Sequence, residues 1–345
     1  MGETLVTPLV SRAAMVSRSR DFAFVILASV FWGSSFPVTK VMVASVDPLF
    51  VTAARLGLGA LLGFLILVVL KRLDLGVFRR PIVWGLGALN ALAFNLQNVG
   101  LIYTTASKTS LLVNVNIVFI AILMALVFHE RVTWQKVLGI SVGVMGVVVL
   151  ATQLYPEFLR GGEFRGDGLV LLSGIGWAFY VVGTKSMVDR GGDYIALTTG
   201  VLTVTTIVAI VPLALSAAPT PTEGPAWAGI LYLGLVPTFT PLLLYTYSMR
   251  TISPTVSGLL VLLEVVVASL ASFAFPGDPI GAFTLVGGAL ILAGTYVVTM
   301  GEKEIAEPAE GGLAPVPADT AVPEPDGLTR RGAPDVPLKR RTLRR

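Results

Sequence analysis

Residues 31–40 read FWGSSFPVTK and residues 176–185 read GWAFYVVGTK. In each stretch a tryptophan precedes a lysine by eight positions, Trp32 before Lys40 and Trp177 before Lys185, at an offset of 145 residues. The chain has only 5 tryptophans, so the match is not an accident of composition. A second pair agrees with it. Gly139 and Gly146 are seven apart, as are Gly287 and Gly294, at an offset of 148. Self-similarity at one long period marks a duplicated unit.

The composition says where the unit folds. Of 345 residues, 54% are hydrophobic and 13% charged, with a mean hydropathy of +0.81. A soluble domain carries roughly 25% charged residues, so a water-soluble globular protein is excluded. Spans of the ~20 apolar residues that cross a bilayer are predicted at 22–43, 49–70, 82–102, 107–128, 133–151, 168–188, 194–215, 226–249, 254–275 and 280–299. They are continuously apolar and lack the period-two alternation of barrel strands, so they are read as helices. The first is too long for the apolar core of a signal peptide. Glycines such as Gly57, Gly59, Gly63, Gly143 and Gly288 are read as packing residues, because small side chains let helices approach closely in lipid.

The expected fold is thus an all-α integral membrane protein of ten transmembrane helices. Five spans per half is an odd number, so the second half enters the membrane from the opposite side, and the halves form two inverted five-helix repeats. The domains read as a cytoplasmic leader at 1–21, a first repeat at 22–151, an extracytoplasmic linker at 152–167, a second repeat at 168–300 and a tail at 301–345. Lys and Arg concentrate in alternate loops: Arg12, Arg18 and Arg20, then Lys71, Arg72, Arg79 and Arg80, then Arg131, Lys136, Arg190 and Arg250. Positive residues stay inside, which predicts that both termini are cytoplasmic; the membrane expected is the plasma membrane. The tail, rich in Pro, Glu, Ala and Gly with a basic end, reads as disordered.

The residues also carry a family resemblance. FWGSSFPVTK, Arg55 within TAARLGLGALL (52–62), HERVTWQKVLGISVGVMGVVVL (129–150) and GGALILAGTYVV (287–298) resemble the drug/metabolite transporter superfamily, in its ten-span type with two EamA domains. The resemblance covers about residues 22–300. It implies export or exchange of small metabolites through a central cavity lined by spans 1, 3, 4, 6, 8 and 9. Many members carry a mid-span proline in spans four and nine, where this chain has Ile117 and Val265. The counterpart of Glu130 in the second half is Asp278.

Ionisable groups inside a membrane are costly, at ~2.5–3.5 kcal/mol each on insertion scales, and mark function by default. Glu264, in GLLVLLEVVVASL (258–270), is the proton-coupling candidate or an anchor for a substrate amine, against a buried ion pair. Lys40 and Lys185 are candidates for a substrate anion or a gate, against snorkelling to headgroups. Arg55 is expected to pair with an acid, Asp47 or another. Trp32 and Trp177 either line the cavity or pack against the other half. Asn90 and Gln97, seven apart, share a helix face and line water or hold helices together. Asn114 shares a face with Ser107 and Ser110, whereas Asn116 falls opposite Glu264 in the repeat register, which favours it for the midplane. Tyr180 and Tyr245 could offer hydroxyls to a ligand, and Tyr247 could also anchor at the interface. Pro212, Pro237 and Pro241 fall in spans seven and eight, as hinges or static bends.

The function expected is secondary transport of a small polar metabolite such as an amino acid, by alternating access around a midplane site. No G-x-x-x-x-G-K-[ST] loop is present, so this chain does not hydrolyse ATP through a P-loop. A lipid-acting enzyme would show clustered carboxylates or a nucleophile with its base, and the spans show neither. A non-transporting or lipid-scrambling protein of this fold is the alternative. No metal site is expected, since cysteine is absent and His129 is the lone histidine, and neither a cofactor nor, at a net charge of only +4, nucleic acid is expected. The partners expected are the metabolite and membrane lipid, around a monomer or homodimer.

Overall fold

A computed structural model describes residues 6–104, 106–114, 116–152, 164–216, 221, 224–272 and 282–306. All regular structure among them is helical. The helices are α1 (Val6–Val43), α2 (Pro48–Val69), α3 (Pro81–Ile102), α4 (Ala106–Asn114), α5 (Asn116–Val127), α6 (Trp134–Thr152), α7 (Phe164–Asp189), α8 (Tyr194–Ser216), α9 (Gly224–Leu235), α10 (Phe239–Ser248), α11 (Pro254–Val261), α12 (Leu263–Ser272) and α13 (Ala282–Ala306), with a 3₁₀ turn at Leu75–Arg79 before α3. The chain divides after Glu304 into two units, and the cavity described below belongs to the first.

Six stretches among the described residues are long and apolar enough to cross a membrane: Arg18–Val43, Pro48–Val69, Arg165–Asp189, Tyr194–Ser216, Gly224–Ser248 and Pro254–Ala271. Leu112–Val127 and Leu285–Val298 are shorter apolar helices. The surface is inverted relative to a soluble protein. Along α2, Leu61, Leu65 and Val69 are exposed while Thr52 and Arg55 are buried. Apolar side chains outside and polar ones inside are what a hydrocarbon solvent selects.

Local sequence starts and stops these helices. Asp47 caps α2, its Oδ1 accepting from the amides of Leu49 at 2.8 Å and Phe50 at 3.3 Å. Asp193 caps α8 in the same way, accepting from Ile195 at 2.8 Å and Ala196 at 3.3 Å. Side-chain oxygens at this position satisfy the orphan amides of a first turn. Pro48, Pro81 and Pro254 each sit in the first turn, where a missing N–H costs nothing. α9 and α10 are separated at Val236–Thr238, where Pro237 interrupts the backbone ladder, whereas Pro212 is accommodated inside α8. α11 and α12 are separated at Leu262. This break lies three residues before the proline-free position Val265, so discontinuity there does not depend on proline.

Packing follows the small residues. α1 packs on α10 and α12, α7 packs on α3, α4 and α5, and α2 packs on α8. α6 and α13 meet backbone to backbone. A Cβ on Gly294 would lie 2.5 Å from the Gly139 carbonyl oxygen, and one on Gly146 would lie 2.6 Å from that of Gly287. Two helices can approach this closely only where both lack side chains.

Candidate functional site

The discontinuous helices converge on a cavity of about 670 Å³, counted with its open mouth. Its walls are Trp32, Ser35 and Phe36 of α1, Arg55 of α2, Phe94 and Gln97 of α3, Val113 of α4, Asn116 and Ile120 of α5, Trp177, Tyr180 and Val181 of α7, Tyr245 of α10, Gly258 and Val261 of α11, and Glu264 of α12. This is the usual character of a small-molecule site, a mostly apolar cleft with a few convergent polar groups.

Aromatic rings set its shape. Phe94 and Trp177 stand edge-to-face at 5.0 Å, Trp177 and Tyr180 at 5.4 Å, and Trp32 and Tyr245 at 5.4 Å. Such tilted pairs are favourable beyond their buried area and hold one another's rotamers. The Trp177 Nε1–H donates to Gln97 Oε1 at 3.2 Å, and the Ser257 hydroxyl donates to Tyr245 Oη at 3.3 Å. The tryptophan of each repeated motif therefore reaches the same cavity, from α1 and from α7.

Glu264 is buried at the start of α12. Asn114 Nδ2 donates to its Oε1 at 2.6 Å and also to the Ser110 carbonyl at 2.7 Å. No basic side chain pairs with Glu264 among the described residues, so the amide of Asn114 is what holds the carboxyl in place.

The sequence-nominated residues divide. Trp32, Gln97, Asn116, Trp177, Tyr180, Tyr245 and Glu264 line the cavity. Asn114 lies behind Glu264 as its donor rather than on the wall. Asn90 is buried away from the cavity and donates to Thr205 Oγ1 on α8 at 3.2 Å, joining two helices. It shares a face of α3 with Gln97, but that face meets α8 at one depth and α7 at another. Tyr247 is likewise outside the cavity, its ring 3.8 Å beneath the Arg250 guanidinium.

Lys40 and Lys185 also lie away from the cavity. Lys40 Nζ donates to the carbonyls of Leu101 at 2.8 Å and Thr104 at 2.6 Å, around the end of α3. Lys185 Nζ donates to the Met249 carbonyl at 3.1 Å, at the end of α10, and to Asp189 Oδ1 at 2.7 Å. Helix C-termini carry unpaired carbonyls and partial negative charge, which an ammonium satisfies. Equal spacing from the tryptophans did not bring the lysines to the site, because their length lets neighbouring helix ends capture them. Lys40→Met and Lys185→Met are expected to lower the unfolding midpoint in detergent by a few degrees each, with substrate selectivity unchanged. A changed selectivity with an unchanged midpoint would oppose the capping role.

Arg55 departs from its expected role. Asp47 is engaged in capping α2, and no acid pairs with Arg55 among the described residues. The guanidinium instead lines the cavity, donating from Nε to Thr238 Oγ1 at 3.2 Å and from Nη2 to the Pro237 carbonyl at 3.3 Å. A helix break in another span supplies its partners, and nothing near Arg55 in the sequence announces that. Asp21 was also missed. It is fully buried and accepts from Arg250 Nε and Nη2 at 3.1 Å and from Thr251 Oγ1 at 2.7 Å, tying α1 to the turn after α10. The signal available was an acid directly ahead of the first apolar run. Asp278 and residues 307–345 lie outside the described residues.

The comparisons with known proteins agree with one another. The EamA-like transporter family matches residues 22–152 and 164–300. An uncharacterized transporter of Archaeoglobus fulgidus is 26% identical over 79% of this chain and 96% of its own length. One of Bacillus subtilis is 28% identical over 79% and 90%. A probable terminal-alkyne amino-acid exporter of Streptantibioticus cattleyicolor is 27% identical over 81% and 94%. A crystal structure sharing 20% identity superposes with a TM-score of 0.70, over 82% of this chain and 98% of the other, which shows a common fold. Both these relatives and the family point to a transporter and not to an enzyme.

Proposed function

This chain belongs to the EamA-like transporter family, and on that premise we propose that it is a secondary transporter, exporting or exchanging a small polar metabolite such as an amino acid across the plasma membrane, with both termini in the cytoplasm. The observation that carries this reading is the cavity, where the motif tryptophans of both halves and the buried Glu264 converge on one apolar cleft. The probable amino-acid exporter among the relatives supports an amino acid as the substrate class.

Transport by such a site needs two exchangeable halves, and several features support ten spans arranged as inverted repeats. The aspartate caps of α2 and α8 recur at an offset of 146 residues, with the same pair of hydrogen bonds. Lys40 and Lys185 each reach the end of a helix within their own half. The glycine contacts are reciprocal: Gly139 meets Gly294 and Gly146 meets Gly287. With Gly139 equivalent to Gly287 and Gly146 to Gly294, low numbers in one helix meet high numbers in its counterpart. Equivalent helices that cross antiparallel in this way are related by a two-fold axis in the membrane plane, the axis of an inverted repeat.

Glu264 is the group we assign to proton coupling, since it faces the cavity with a neutral amide as its hydrogen-bond partner. The Asp21–Arg250 contact closes one end between the halves and has to open when access alternates. The medium of cells making the intact protein should gain one small metabolite that is absent from cells making Glu264→Gln and from cells with an empty vector. Identical media, with both proteins found in the membrane, would move the reading to the non-transporting alternative.

A further inference from the structure

Taking the cavity as the transport site, we infer that Arg55 is its anion receptor and that the substrate carries a single carboxylate. Arg55 is 2% exposed and lines the cavity. A guanidinium offers five N–H donors in a rigid fork. Two contacts are present, from Nε to Thr238 and from Nη2 to the Pro237 carbonyl. Nη1 makes no hydrogen bond among the described residues, and no carboxylate reaches the group.

A cation buried without a counter-ion is strongly disfavoured. The Phe94 ring, 5.0 Å from the guanidinium carbon, offers a partial compensation. Thr238 and Pro237 hold one edge of the fork and fix its direction. The remaining donors suit the two parallel, charge-assisted bonds of a carboxylate.

The rest of the wall limits the ligand's charge. Lys40 and Lys185, the other cations nominated in these spans, are held at helix ends, so Arg55 is the one basic side chain among the cavity-lining residues. Glu264 stands on the same wall as an acid. One cation opposed by one acid matches a monocarboxylate with a hydrogen-bond donor elsewhere, and disfavours a phosphate dianion. The body of such a molecule would rest against Phe94 and Trp177.

A second role for Arg55 is also on the page, since it satisfies a carbonyl freed by the break between α9 and α10. The test therefore reads charge selectivity and not activity alone. Full-length protein in liposomes is loaded with an equimolar mixture of the protein amino acids, their C-terminal amides, short monocarboxylates and hexose phosphates, and efflux is followed by mass spectrometry. Carboxylates should leave faster than their matched amides by about tenfold or more, because a site built to bind a group rejects the analogue that lacks it. Arg55→Gln should abolish that preference, and Arg55→Lys, keeping the charge without the fork, should retain part of it. Equal efflux of amides and carboxylates by the wild type, or an undiminished preference in a well-folded Arg55→Gln, overturns the assignment. Preferential efflux of the phosphates overturns the monocarboxylate. If Arg55→Gln is aggregated on size exclusion, the wild-type preference and the Arg55→Lys value decide. Efflux no faster than from protein-free liposomes would overturn the transport reading itself, and this inference with it.

Discussion

Glu264→Gln is expected to abolish proton-driven accumulation while leaving exchange of substrate for substrate measurable. Glutamine has the size of glutamate and still offers an oxygen to Asn114 Nδ2, which now donates to Glu264 Oε1 at 2.6 Å. The wall of the cavity should keep its shape. What glutamine cannot do is take up and release a proton. With one proton coupled per substrate, a step of about one pH unit sustains a substrate gradient of about tenfold, since 1.4 kcal/mol is a factor of ten. In liposomes with such a step the wild type should approach that ratio and the variant should settle near equality. A variant that still concentrates substrate would remove Glu264 from the coupling step. If exchange is lost as well, Glu264 holds the substrate and is not only a proton carrier.

The second large effect concerns a residue with no side chain. Gly33, within the first repeated motif, is buried against α12, and a Cβ there would lie 2.6 Å from the Glu264 carbonyl oxygen and 2.7 Å from Val267 Cβ. The obstruction includes backbone, which cannot swing away as a side-chain end can. Gly33→Ala is expected to cost about 1–3 kcal/mol through overpacking, and Gly33→Leu to prevent accumulation of folded protein. Because Glu264 and Trp32 flank this contact, Gly33→Ala should also slow transport. Gly57→Ala is the control. Its Cβ would meet only Thr206 Cγ2 at 3.5 Å, an ordinary contact, and removing a glycine stabilises a compatible helix by ~0.4–1 kcal/mol. Thermal unfolding in detergent separates the two, and equal midpoints for both alanine variants would contradict the close approach of α1 to α12.

Much of this was readable in advance because lipid imposes simple rules. The helical class and the family follow from apolar length and from motifs such as FWGSSFPVTK and HERVTW. Trp32, Trp177, Gln97, Asn116 and Glu264 could be nominated because a polar or bulky group at mid-span has few reasons to be there. Nominations from spacing alone fared differently. Spacing places a Cβ on a helix face, but a lysine extends several ångströms past its Cβ, and the final position of Nζ depends on which carbonyls lie nearby. The two lysines found the ends of α3 and α10. Arg55 shows the converse. Its partners, Thr238 and the Pro237 carbonyl, lie more than 180 positions away, at a break whose location relative to α2 is a property of the packed bundle. Asn90 and Gln97 illustrate a third limit, since one helix face can meet two different neighbours along its length.

The lysine caps have a consequence for movement. Each ammonium links a motif helix to the far end of another helix in its own half, α1 to α3 and α7 to α10. Parting either couple would strip a charged amine of the helix-end carbonyls that now hold it. The Asp21–Arg250 contact instead joins different halves. A working cycle would therefore break the second kind of bond and conserve the first, so that the travelling pieces are coupled helix pairs and not single helices.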